Sequence, residues 1–187
     1  MQVFDTPLQD VKLLRPQKFR DERGWFTEVF SSKEFTALGL PDRFVQENQS
    51  FSSGRVLRGL HYQLGEQQGK LLRVLSGTIW DVAVDLRPGS PDFGKWAAFE
   101  LTSNELEFLW IPEGFAHGFL VTSESANVLY KTTASYNPRG ERCIRWDDPS
   151  LKISWPLEGL GAPCVSAKDA VGSLMSKAEL PPAYVHK

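Results

Sequence analysis

From Val56 to Ala134 the chain repeats one pattern, short runs of β-branched and aromatic residues broken by Gly or Pro. Leu71–Leu75 and Thr78–Leu86 flank Ser76-Gly77, and the β-branched Ile79, Val82 and Val84 after the turn predict a hairpin there. Beyond the Pro88-Gly89-Ser90-Pro91 turn come Trp96–Leu101, Phe108–Ile111, Phe115–Thr122 and Asn127–Ala134. Strand after strand with no helix between them argues against a βαβ fold and for an antiparallel sandwich or barrel. Helices are few. Ser31 and Glu34 have capping-box spacing ahead of Phe35, Leu38 and Gly39, and Ser166 with Asp169 marks a second helix start. No repeat, low-complexity tract or linker divides the chain, so one domain over residues 1–187 is expected.

Composition narrows the class without naming a function. With 187 residues, 41% hydrophobic and 24% charged, the chain is too apolar and too balanced for disorder and long enough for a real core. A formal charge of -2 offers no basic field for nucleic acid or anionic lipid, although a local Arg/Lys cluster is still able to hold a phosphate. Cys143 and Cys164 lack CxxC or zinc-ligand Cys/His spacing and read as structural thiols in a reducing compartment. Residues 1–10 carry acids and Pro7 in place of a basic, apolar leader, and no run reaches the roughly 20 apolar residues of a membrane span. The expected location is the cytoplasm.

Candidate chemistry centres on two histidines placed in strands. His61 lies in Arg58-Gly59-Leu60-His61-Tyr62-Gln63, and His117 closes Pro112-Glu113-Gly114-Phe115-Ala116-His117. Pro-x-Gly-x-x-His resembles the second motif of the cupin β-barrels. Metal-binding cupins supply His-x-His and a Glu from their first motif, because imidazole and carboxylate fill a divalent ion's inner shell. Here Gln63 stands at the second His and Glu66 comes too early for the Glu, so no metal is expected and the histidines are free for acid–base work.

The resemblance then becomes specific. Asp21-x-Arg23-Gly24-x-Phe26-x-Glu28-x-Phe30, Gln46-x-Asn48-x-Ser50, Leu57–Gln63, Gly69-Lys70-Leu71 and Asp81-Val82-Ala83-Val84-Asp85-x-Arg87 resemble the dTDP-4-dehydrorhamnose 3,5-epimerases. So do Trp110–Phe119, Tyr130-Lys131, Tyr136-Asn137-Pro138 and Trp146-Asp147-Asp148-Pro149, in the same order along essentially the whole chain. The resemblance implies a cupin jelly-roll barrel, a dTDP-linked 4-keto-6-deoxyhexose as substrate, no cofactor, and a homodimer that shares N-terminal segments.

It also implies roles. A hydrogen beside a ketone is weakly acidic, so its removal needs a placed base and a group to hold the enolate oxygen. By resemblance His61 is the base, paired with Asp169; Lys70 is the cation beside O4; Tyr130 is the acid on the opposite ring face. Arg23, Arg58 and Lys168 are expected near the diphosphate, and Phe26, Glu28, Gln46, Asn48, His117 and Glu141 as further contacts, with Tyr136 stacking on thymine. Taken singly, each has a plainer reading: Asp169 as a helix cap, Lys70 as a solvated edge lysine, Tyr130 as barrel packing, Arg23, Glu141 and Lys168 as surface charge. Strict alternation puts Arg58 and His61 on opposite strand faces unless Gly59 marks a bulge. The loop Leu64–Gln68 is shorter than in the family and lacks its prolines. Three rivals stand beside this reading. A single-site epimerase would carry the same motifs, a non-catalytic sugar-nucleotide cupin has no need of an acid and a base together, and a metal-dependent cupin is disfavoured by Gln63.

Overall fold

A computed structural model of the chain describes residues 1–159 and 161–185. In chain order the strands are β1 (Gln2–Asp5), β2 (Lys12–Arg15), β3 (Phe19–Asp21), β4 (Gly24–Phe26), β5 (Gln46–Ser53), β6 (Leu57–Gln63), β7 (Lys70–Ser76), β8 (Thr78–Asp85), β9 (Trp96–Thr102), β10 (Phe108–Ile111), β11 (Phe115–Val121), β12 (Ser125–Thr132) and β13 (Glu141–Cys143). Two short helices, α1 (Ser32–Ala37) and α2 (Ala167–Ala170), join them. The strands form a six-stranded sheet, β1-β2-β10-β7-β12-β5, a five-stranded sheet, β13-β6-β11-β8-β9, and a separate ribbon, β3-β4. Every strand pair is antiparallel. This is the double-sheet barrel expected of a cupin. No helix among the described residues is long and apolar enough to cross a membrane.

The predicted hairpin is corrected. β7 and β8 are consecutive but do not pair: β7 lies between β10 and β12, while β8 lies between β11 and β9 in the other sheet. Gly77 makes this crossing at φ +81, and a Cβ on it would lie 2.0 Å from the Ser125 carbonyl oxygen. A turn signal reports a chain reversal and carries no information on which strand the next one joins. The helix predictions fare differently at their caps. Ser166 Oγ accepts the Asp169 N–H at 3.1 Å, as its spacing implied. Ser31 makes no side-chain cap to α1, and the Glu34 carboxylate pairs with the N-terminal ammonium.

Alternation divides the apolar residues into layers. Leu72 and Val74 of β7, Leu109 and Ile111 of β10, Ile79 and Ala83 of β8, and Phe119 and Val121 of β11 meet between the two sheets. Leu57, Leu60, Val82, Val84 and Leu120 point the other way, where Ile144, Leu151 and Trp155 of the C-terminal segment cover them. With both faces buried, β8 and β11 read as nearly continuous apolar runs. The outer face of the six-stranded sheet packs Leu71, Phe108 and Trp110 against Phe35 of α1.

One irregularity decides what the barrel interior holds. β11 pairs with β6 as His117↔His61 and Phe119↔Arg58, so Gly59 and Leu60 face the single residue Gly118. Such a bulge resets the alternation and turns both Arg58 and His61 inward. Gly59 adopts φ +112, and a Cβ there would sit 2.6 Å from Gly118 Cα and 2.7 Å from the His117 carbonyl oxygen. We predict that Gly59→Ala lowers stability by at least about 2 kcal/mol, since left-handed backbone and a backbone clash act together. Denaturant titration of parent and variant measures this; an unchanged midpoint would mean that the close approach is not required.

Candidate active site

A cavity of ≈ 380 Å³ opens between the sheets at the end where their facing residues turn from apolar to polar. Side chains reach it from both walls. Arg58, His61 and Gln63 come from β6 and His117 from β11, in the five-stranded sheet; Gln46, Asn48, Lys70 and Tyr130 come from β5, β7 and β12 of the other. Lys70 and Tyr130 point inward for the same reason that Leu72, Val74 and Val128 do, because residues two apart on a strand share a face.

His61 and Asp169 meet across 108 positions of sequence, Nε2 to Oδ1 at 2.7 Å. Burial raises the Asp169 pKa, but the hydrogen bond and charge of His61, together with the Gly59 N–H at 3.3 Å, outweigh it and hold the carboxyl below its ordinary range. An ionised carboxylate only accepts, so the facing Nε2 carries a proton. A second pair lies beside the first: His117 Nε2 meets Asp81 Oδ2 at 2.8 Å, with Asp81 fully buried. Burial lowers the His117 pKa despite Asp81. Asp81 was absent from the expected site, although a carboxylate inside an apolar strand is the kind of signal that finds such residues.

Lys70 is buried, and its Nζ donates to the His61 carbonyl oxygen at 3.1 Å. Desolvation lowers its pKa from 10.5 to about 8, with Asp81 the larger of the charges that oppose the fall. Burial likewise raises the Tyr130 phenol above its ordinary value. Gln63 is committed elsewhere. Its amide nitrogen donates to the carbonyls of Glu66 and Ser135, and its amide oxygen accepts the Asn137 N–H at 2.8 Å. It ties down the loops at the mouth of the cavity.

Arg58 is fixed inward by Ser52, whose Oγ accepts its Nε–H at 3.1 Å. At the rim, Glu141 accepts the Tyr136 hydroxyl at 2.5 Å and also pairs with Lys168, while the Tyr136 N–H donates to Gln46 Oε1 at 2.9 Å. Ser50 lines the cavity with a buried hydroxyl that has no partner among the described residues, another residue outside the expected set. Within the single chain, Arg23, Phe26 and Glu28 do not line this cavity. Arg23 and Phe26 belong to the β3–β4 ribbon, and Glu28, itself exposed, to the segment that follows it. The Arg23 guanidinium pairs with Asp21 at 2.5 Å, and Phe26 is 69% exposed. Among the described residues, the strands of that ribbon pair only with each other.

A family model described as dTDP-4-dehydrorhamnose 3,5-epimerase matches residues 5–177. The chain belongs to this family. Among the 3,5-epimerases, the protein of that name from Neisseria gonorrhoeae is 53% identical over 179 residues, 96% of this chain. The chain spans only about half of that relative, 54% of its length. The Pseudomonas aeruginosa epimerase is 50% identical over 180 residues, covering 96% of this chain and 98% of its own. The crystal structure of the Legionella pneumophila 3,5-epimerase in complex with dTDP-4-keto-L-rhamnose superposes with a TM-score of 0.93 at 44% identity, covering 98% of this chain and 99% of that one.

The buried Lys70 gives a stability prediction whose sign follows from linkage. Between pH 8 and 10.5 the unfolded lysine still holds its proton and the folded one has lost it, so parent stability rises with pH across that window. Lys70→Met should be more stable than the parent at pH 7, by about 1–3 kcal/mol, and should not show this rise. Chemical denaturation at pH 7 and pH 10 tests it; a less stable variant would mean that the ammonium is better solvated than its burial implies.

Proposed function

We propose that the protein inverts C3 and C5 of a dTDP-linked 4-keto-6-deoxyhexose, converting dTDP-4-dehydro-6-deoxyglucose to dTDP-4-dehydrorhamnose in dTDP-rhamnose biosynthesis in the cytoplasm. The observation that carries the reading is that His61 and Tyr130 face one cavity from opposite sheets, with Lys70 beside them. His61, held in one tautomer by Asp169, removes the hydrogen beside the ketone. Lys70 stabilises the enolate that forms on O4, in a site poor in water where its charge acts strongly. Tyr130 returns a proton from the opposite face, which inverts the carbon. The histidine then loses its proton to solvent and the phenolate regains one. Arg58 and Lys168 hold the diphosphate, Tyr136 stacks on thymine, and Gln46, Asn48, His117 and Glu141 complete the contacts. Gln63 supports a mechanism without a resident metal, since its amide is consumed by backbone groups.

Arg23, Phe26 and Glu28 belong in this scheme as contributions from a second copy. Phe19, Trp25 and Phe26 are all more than half exposed on a ribbon their own chain leaves uncovered, the pattern of a segment that docks elsewhere. The working unit is then a homodimer with exchanged ribbons.

Turnover of dTDP-4-keto-6-deoxyglucose in heavy water should place deuterium at both C3 and C5 by NMR; label at one carbon only would make the protein a single-site epimerase. His61→Asn should lower exchange at both carbons by about 10²–10⁴-fold while still binding dTDP. Tyr130→Phe should keep label entry and lose inversion, more at C5 than at C3, and an unchanged ratio would return Tyr130 to a packing role.

Mixing His61→Asn with Arg23→Ala subunits tests the exchanged ribbon. A mixed dimer has one site with both residues intact, so refolding the two together should recover about a quarter of parent activity. Activity no greater than the sum of the separate variants would place Arg23 outside the partner's site.

A further inference from the structure

We infer that His61, Cys143 and Asp169 form a site for a soft divalent cation, Zn²⁺ or Cd²⁺, and that its occupation switches the His61 base off. Cys143 lies directly opposite His61 in the β13–β6 register, so both side chains leave the sheet on the same side. α2 brings Asp169 down onto the pair, and Gly172 follows it so closely that a Cβ there would lie 3.1 Å from Cys143 Sγ. A ring nitrogen of His61, the Cys143 sulfur and an Asp169 carboxylate oxygen all lie within 4.8 Å of one another. A tetrahedral zinc centre with bonds of roughly 2.0–2.3 Å spaces its ligand atoms about 3.3–3.8 Å apart. Small side-chain rotations close the difference, since among the described residues the thiol's hydrogen bond is a 3.4 Å contact to the Ile144 carbonyl oxygen.

Thiolate, imidazole and carboxylate together favour zinc and cadmium and discriminate against magnesium and calcium, which take oxygen ligands. Three protein ligands leave the fourth position to water. As the cation binds, Cys143 releases its thiol proton to solvent and the two anionic ligands balance the added charge. A cation among these groups takes Asp169 and a nitrogen of the ring from the pair that makes His61 a base, so the occupied enzyme cannot abstract a proton. The cluster shares His61 with the cupin metal position but takes its other ligands, Cys143 and Asp169, from β13 and α2 in place of Gln63 and His117.

The inhibitory consequence rests on the role proposed for His61; occupancy does not. The test therefore reads both, in a Cys164→Ser background that leaves Cys143 as the sole thiol. Titration with Cd²⁺ should give one equivalent of the ultraviolet thiolate-to-cadmium charge-transfer band, and epimerase turnover should fall in parallel and return with a chelator. Millimolar Mg²⁺ should do neither. Adding Cys143→Ser, or Cys143→Ala should the serine variant not fold, should keep basal turnover, abolish the band and raise the Cd²⁺ needed for half-inhibition by at least about tenfold. No band, or equal inhibition of parent and Cys143 variants, overturns the site. A full band with undiminished turnover overturns the switch and leaves only a binding cluster.

Discussion

Where β6 pairs with β11, Gly59 rests against Gly118 so closely that neither position has room for a side chain. The candidate site depends on this contact. It lets β6 carry one more residue than its partner strand, and that extra residue turns Arg58 to the same side as His61. Without it, an arginine positioned by Ser52 and a histidine positioned by Asp169 would point to opposite sides of the sheet. One would lie in the cavity and the other in the apolar layer beneath the C-terminal segment.

The cavity is built at a cost in stability that its chemistry explains. A barrel of this size fills its interior with apolar side chains, and at one end this one does, through Leu72, Val74, Leu109 and Phe119. At the other end the inward positions of the same strands carry Lys70, Asp81, His117 and Tyr130. Pairing relieves part of the expense of burying charge, as between Asp81 and His117. Among the described residues Lys70 has only a carbonyl oxygen as hydrogen-bond partner, and its depressed pKa records what remains. An ammonium kept partly desolvated is poised to gain most when an oxyanion forms beside it.

The C-terminal segment does two jobs at once. It covers the outer face of the five-stranded sheet with Ile144, Leu151 and Trp155, and it delivers Asp169 from α2 to His61. The Ser166 cap fixes the first turn of α2, so the orientation of the carboxylate follows from a local hydrogen bond as well as from the packing. The same arrangement brings Cys143 against the pair, a proximity that neither the epimerase chemistry nor the barrel requires.

The periodicity of the chain was enough to locate most strands of the barrel, because a half-buried strand must alternate and a turn must carry Gly, Pro or Ser. The motifs around His61, Lys70, His117 and Tyr130 identified the family and the inward-facing residues, since a strand places its side chains by count alone. Local signals stopped at pairing. Ser76-Gly77 read as a hairpin because a reversal looks the same whether the chain returns along its own strand or crosses to the other sheet. β1, β3 and β4, short and mostly exposed, gave no comparable period. Gly59 was legible as a bulge candidate, but only the register with β11 shows that the bulge forms. Asp81 facing His117, Gln63 spent on backbone groups, and Arg23 and Phe26 stranded on a ribbon outside the cavity were all decided by tertiary structure. Each depends on contact between segments far apart in sequence, and no local pattern encodes the distance between them.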